Sequence, residues 1–124
     1  MPVNKGTTAP VFELPHVTFT GLASPSSGAK ETSVWRTSVK PGTKPDPHFF
    51  DHEEVLVLIA GKGYALLDGE RHDVAAGDTI IVPAGCMFGL GNESDELFEA
   101  IVSLPVGAVA TMASGESLVP MMAR

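Results

Sequence analysis

Short apolar runs alternate with glycine and proline along the whole chain, a punctuation that predicts strands rather than helices. Val11-Phe12-Glu13-Leu14 and Val17-Thr18-Phe19-Thr20 read as short strands broken at Pro15, followed by a Ser/Pro/Gly-rich loop from Ser24 to Gly28. Ser33 to Val39 is rich in β-branched residues and ends at Pro41-Gly42, a pair suited to a tight turn. Glu54 to Ile59 is a nearly continuous apolar strand, the pattern expected where both faces are covered. Gly61-Lys62-Gly63 turns the chain, and Tyr64 to Leu67 returns along it. Asp68-Gly69 then predicts a two-residue type I′ hairpin, because both central residues need positive φ, with Glu70 to Val74 as the partner strand. Thr79 to Val82, Cys86 to Leu90 and a final long strand from Glu96 to Leu104 complete the set. The segment from Pro105 to Arg124 is apolar without a clear period, and its Met112, Met121 and Met122 are expected to cover the barrel or a partner subunit.

Many short strands at regular spacing imply a sandwich or a closed barrel. The 124 residues fit one domain, with N-terminal strands and a loop over 1–30, a barrel core over 31–104 and a tail over 105–124. A hydrophobic content of 44% is enough to bury a core. The formal charge of −7 argues against nucleic acid or an anionic membrane surface as partner, which leaves small molecules. No basic stretch leads into an apolar run at the N-terminus, and no apolar run approaches the roughly twenty residues that span a bilayer, so a soluble cytosolic protein is expected. Cys86 is the single cysteine, which excludes an intramolecular disulfide and thiolate zinc sites. It has no base at recognisable spacing, and a nucleophilic role is not expected.

Chemistry concentrates where a turn runs into a strand. In an extended chain positions 48, 50, 52 and 54 share a face, so His48, His52 and Glu54 can converge. Three such donors can hold a divalent metal, and a histidine beside a carboxylate can equally act as an acid/base pair. Phe50 interrupts the set and donates nothing. Pro45-Asp46-Pro47 stiffens the approach to His48. Glu54 opens an apolar strand; if it points inward it needs a partner, whether His48, a metal, or an ion pair with Arg36 or Arg71. Glu53, His16 and His72 read as solvated surface.

These residues stand in two spaced motifs. Gly42, His48, Glu54 and Gly61 fall at the spacing of the first cupin motif, and Gly77, Pro83, Gly85 and Asn92 at that of the second, within GDTIIVPAGCMFGLGN. With eight positions in register over residues 42 to 92, the chain resembles small single-domain bacterial cupins. The resemblance implies an all-β, double-stranded β-helix (jelly-roll) barrel. Of the four metal ligands of that family it keeps His48 and Glu54, while Phe50 and Phe88 stand where the other two histidines would be. A tightly bound cofactor is therefore not expected, although a weakly held divalent metal (Fe, Mn, Ni or Zn) on His48, His52 and Glu54 stays open. In similar cupins the position of His52 lies in a bend and faces outward. Phe50 and Phe88 either wall an apolar pocket, with Trp35, Tyr64 and Met87 lining the same cavity, or fill an ordinary core.

Three functions are compatible with these residues. One is an enzyme acting on a small apolar or aromatic metabolite by isomerase, lyase or cyclase chemistry, with His48 and Glu54 catalytic; some cupin-like epimerases and dehydratases work through a histidine without metal. Another is a metal-dependent oxygenase using His48, His52 and Glu54. The third is a non-catalytic small-molecule binding module. The resemblance also implies a homodimer paired through edge strands.

Overall fold

The strand signals are realised almost throughout. A computed structural model describes residues 2–124 as two six-stranded antiparallel sheets facing one another. The strands are Val11–Glu13 (β1), Val17–Ala23 (β2), Thr32–Val39 (β3), His48–Phe50 (β4), Glu54–Ala60 (β5), Lys62–Leu67 (β6), Glu70–Ala75 (β7), Thr79–Val82 (β8), Phe88–Gly91 (β9), Phe98–Pro105 (β10), Ala110–Met112 (β11) and Ser117–Leu118 (β12). One sheet has the order β1-β2-β3-β10-β5-β8 and the other β12-β11-β4-β9-β6-β7. This is the jelly-roll barrel. The helical elements among the described residues are three short 3₁₀ turns, and no helix there is long and apolar enough to cross a membrane.

Alternation builds the core. On β3 the residues Ser33, Trp35, Thr37 and Val39 are buried, and on its partner β10 so are Phe98, Ala100, Val102 and Leu104. The pairs Val39↔Phe98 and Trp35↔Val102 are therefore cross-strand neighbours on one inward face. β5 differs from the sequence expectation. Its Glu54, Leu56 and Leu58 are buried, but Val57 and Ile59 are 43% and 44% exposed. The outer face of this sheet is bare, so the continuous apolar run is a half-buried strand with apolar residues on both faces.

The Asp68-Gly69 loop is the two-residue hairpin expected, with φ of 49° and 83° and Leu67 paired to Glu70. Asp68 does more than turn the chain: its Oδ1 accepts the Met87 N–H at 2.8 Å and its own N–H donates to the Met87 carbonyl at 2.7 Å. Gly61, at φ 72°, is pressed against the Leu97 carbonyl, where a Cβ has no room. Asn92 is fully buried. Its Nδ2 donates to the carbonyls of Val39 (3.0 Å) and Glu96 (2.8 Å), and its Oδ1 accepts from the Ser94 N–H and hydroxyl. The motif asparagine is thus a clamp between β3 and the loop before β10. Asn92→Leu removes the Asn92 bonds to the Val39 carbonyl and the Ser94 N–H and leaves the Glu96 carbonyl with the Ser94 hydroxyl alone, and urea unfolding is expected to show a loss of about 3 kcal/mol.

Two further strands follow β10. The tail returns as β11, which pairs with β4 (Ala110↔Phe50, Met112↔His48), and β12 pairs with β11. The periodless apolar tail is therefore part of the sheet that carries His48.

Candidate active site between the sheets

β4 lies between β11 and β9, with His48 directly opposite Phe88. β5 belongs to the other sheet, with Glu54 opposite Val82. His48 and Glu54 thus reach the space between the sheets from opposite walls, and both line one cavity of about 450 Å³. Phe19, Trp35, Phe50 and Phe88 supply its aromatic walls, while Met112, Leu118, Met121 and Met122 of the tail close one side. Lys44, Asp46 and Glu116 are exposed residues at its rim. The cavity has the size and apolar character of a small-molecule site.

The His48 ring is held on three sides. Its Nδ1 lies 3.0 Å from the Asp46 carbonyl, which only accepts, so Nδ1 carries a proton. Phe50 and Phe88 pack edge-on at ring centroid distances of 5.5 Å and 5.6 Å. Nε2 has no protein partner among the described residues, and in the neutral ring it is the free lone pair. Glu54 is 3% exposed, and its Oε1 has no hydrogen-bond partner among the described residues. Burial pushes this carboxyl from its ordinary 4.5 up to about 8, so it is protonated at neutral pH. The Trp35 indole N–H is satisfied internally by the Thr37 hydroxyl at 3.1 Å.

Several expected members of the site are elsewhere. His52 is half exposed, with Nδ1 2.7 Å from Asp51 Oδ1. β4 ends at Phe50 and the chain bends at Asp51-His52, so the parity that would have placed His52 beside His48 is lost. The bend is pinned instead: the Asp51 N–H donates to the Val109 carbonyl, and Asp51 Oδ1 accepts the Val109 N–H at 2.8 Å. That N–H, and then His52, hold the Asp51 carboxyl below the usual range. Tyr64 does not line the cavity. It lies over Gly91 with the Arg71 guanidinium 4.0 Å above its ring. Met87 also lies outside the cavity, its backbone tied to Asp68. Arg71 is committed to Glu93 and Asp73, and Arg36 is exposed, so neither pairs with Glu54.

A divalent metal does not fit this donor set. Among the described residues no three His, Cys, Asp or Glu side chains are grouped to hold one. His48 and Glu54 are two donors, and the adjoining positions are phenyl rings. Sequence reasoning missed the Asp46 carbonyl that orients His48, although Pro45 and Pro47 flank it, and it missed Thr37 and the rim residues Lys44 and Glu116.

The comparisons agree with this architecture. Residues 35–104 match the family described as cupin domain. No curated protein sequence matches the chain. Among solved structures, the polyketide cyclase RemF from Streptomyces resistomycificus superposes with a TM-score of 0.77 at 20% identity, over 87% of this chain and 81% of that one. An RmlC-like cupin from Shewanella frigidimarina gives 0.70 at 16% identity, over 82% and 87%. Salicylate 1,2-dioxygenase from Pseudoaminobacter salicylatoxidans gives 0.66 at 18% identity, over 76% of this chain but only 26% of its own. Two facing antiparallel sheets, the two spaced motifs and the family match over most of the barrel make this chain a member of the cupin family.

Proposed function

We propose that this cupin is an enzyme that moves protons on a small apolar or aromatic metabolite, by isomerase, lyase or cyclase chemistry, with His48 as base and Glu54 as acid. The observation that carries this reading is the protonated, partnerless Glu54 carboxyl across an apolar cavity from a histidine whose Nε2 is free. Two titratable groups whose surroundings set them to opposite tasks are the pattern of an acid/base site. In an isomerisation, Nε2 accepts a proton from a substrate C–H while the Glu54 carboxyl donates its proton to the substrate carbonyl oxygen, giving an enol. The imidazolium then returns its proton to another carbon, and the enol hydroxyl returns its own to Glu54. The transient imidazolium and carboxylate neutralise one another in the dry cavity. Both groups end in their starting protonation states, and the proton held on the imidazolium exchanges with solvent before a proton is returned to carbon.

Cupins often carry a metal, and one relative of this fold is a dioxygenase. The outward turn of His52 and the phenyl groups at positions 50 and 88 support the metal-free reading over an oxygenase built on His48, His52 and Glu54. A non-catalytic binding module would use the same apolar cavity. Exchange of substrate C–H for deuterium, followed by NMR in D₂O with a panel of aromatic ketones such as 1-tetralone, separates the two. Catalysed exchange is expected. His48→Ala should lower it by about 10² to 10⁴ with the circular dichroism unchanged, and Glu54→Gln should weaken it. Because Glu54 acts in its protonated form, the rate should fall as pH rises through about 8. Exchange that survives in His48→Ala would remove this histidine from the chemistry.

A further inference from the structure

We infer that the cavity takes a planar hydroxyaromatic molecule in its neutral form, its hydroxyl donating to His48 Nε2 and a neighbouring oxygen meeting Glu54 Oε1. The inference rests on the reading of His48 and Glu54 as the reactive pair and adds the class of compound they recognise. Glu54 Oε1 is a buried polar atom without a protein partner, which native proteins rarely leave, and the half-buried His48 on the opposite wall has an Nε2 that bonds no protein group among the described residues. Each therefore marks where a ligand atom belongs. The Asp46 carbonyl keeps the proton on Nδ1, so neutral His48 offers the cavity an acceptor and selects a ligand that donates. A phenol donates strongly. Its acidity, near the pKa of about 10 of a tyrosine side chain, also brings the proton within reach of an imidazole, as an alkanol does not.

The walls exclude the other hydroxylated classes. A sugar would bring many hydroxyls to a cavity whose remaining polar groups are few, and the Trp35 N–H is already spent on Thr37. A carboxylate would have to be desolvated beside Glu54. The cation at the rim, Lys44, is exposed and offset there by Asp46 and Glu116. Aromatic rings, by contrast, find Trp35, Phe50 and Phe88 for edge and face contacts and the thioethers of Met112 and Met122. A volume of about 450 Å³ suits about two or three fused rings.

Calorimetric titration of the intact protein with 2-naphthol, 2-methoxynaphthalene and 2-naphthoate tests the inference. The naphthol is expected to bind about tenfold tighter than its methyl ether, which keeps the ring and cannot donate, and tighter than the carboxylate. In the unaltered protein, naphthol and not the ether should shift the ¹⁵N resonance of His48 Nε2. In His48→Phe the naphthol and the ether should converge to within about twofold. Equal affinity of naphthol and ether for the unaltered protein, tightest binding by the naphthoate, or no binding of any of the three overturns the inference. Hydroxyl preference without deuterium exchange on ketones would leave the ligand class standing and remove the catalytic reading. Exchange without hydroxyl preference would do the reverse.

Discussion

Glu54→Gln is expected to raise the unfolding temperature at about pH 9 by about ten degrees and to leave it nearly unchanged at about pH 4. The sign follows from linkage. The Glu54 carboxyl titrates at about 8 in the folded protein and at its ordinary 4.5 when exposed. Between those values the native state holds a proton that the unfolded chain has released, so stability falls as pH rises through this window and is level on either side. The shift corresponds to on the order of a few kcal/mol by the conversion of pKa into free energy. Glutamine keeps the shape and never ionises, so its curve lacks that fall. Changes at the other carboxylates affect both proteins alike and cancel in the difference. Thermal unfolding of the two proteins across the range measures it. Superimposable curves would mean that Glu54 is solvated or paired at high pH, and its role as a proton donor would go with the pKa shift.

The gain from burying an ionisable group without a partner lies in function. A carboxyl in water near neutrality is an ionised base, whereas the same group between Leu56 and the aromatic walls is an acid with a proton to give. The protein accepts a stability cost that grows from about pH 4.5 to about pH 8 to keep it so. His48 is tuned differently, through geometry: its Nδ1 is anchored on the Asp46 carbonyl and its ring is wedged between Phe50 and Phe88. One group is set by its solvent and the other by its contacts. The phenyl rings at positions 50 and 88 serve the second device, as the edge-on contacts of the His48 ring.

Strand and turn signals are local, which is why they were legible. Asp68-Gly69 specifies its own hairpin through two positive φ angles, and β3 and β10 display their inward faces by alternation. The spaced glycines, Pro83 and Asn92 likewise imply the jelly roll through their resemblance to the cupin motifs. What failed did so where a local pattern met a non-local fact. Even spacing put His52 on the face of His48, but the bend at Asp51 is held by Val109, far along the chain, and it reverses the parity. The tail shows no period because β11 and β12 are too short to display one, yet β11 pairs with the strand that carries His48. Tyr64 looked like a cavity aromatic and lies outside because Gly91 on the neighbouring strand makes room for its ring. For Glu54 the sequence offers His48, a metal or an ion pair with Arg36 or Arg71 as partner, and neither arginine reaches it because Arg71 is held by Glu93 and Asp73 and Arg36 is exposed.

Phe50→His combined with Phe88→His is expected to raise the affinity for Ni²⁺ or Zn²⁺ on the order of 10³-fold or more, because both new imidazoles project beside His48 and complete a set of four donors with Glu54. His48 is the cross-strand neighbour of position 88 and lies two residues from position 50 on the same strand, with ring centroids 5.6 Å and 5.5 Å away. Without metal the double variant should be less stable than the natural protein. Two buried phenyl rings are exchanged for polar rings lacking partners, at about 2–4 kcal/mol each. A metal that binds only the folded state restores stability by mass action, so added Zn²⁺ should raise the unfolding temperature of the variant and leave the natural protein unmoved. The metal would also draw the proton from Glu54, since the ligating form is the carboxylate, and binding should therefore strengthen as pH rises. Equilibrium dialysis against chelator followed by metal analysis gives the affinity, and a thermal scan with and without Zn²⁺ gives the coupling. If the natural protein retains stoichiometric metal through that dialysis, its own side chains already suffice, and the phenyl rings at positions 50 and 88 have not removed the site. If the double variant folds and still holds no metal, positions 50 and 88 do not face His48 and Glu54 across a common cavity.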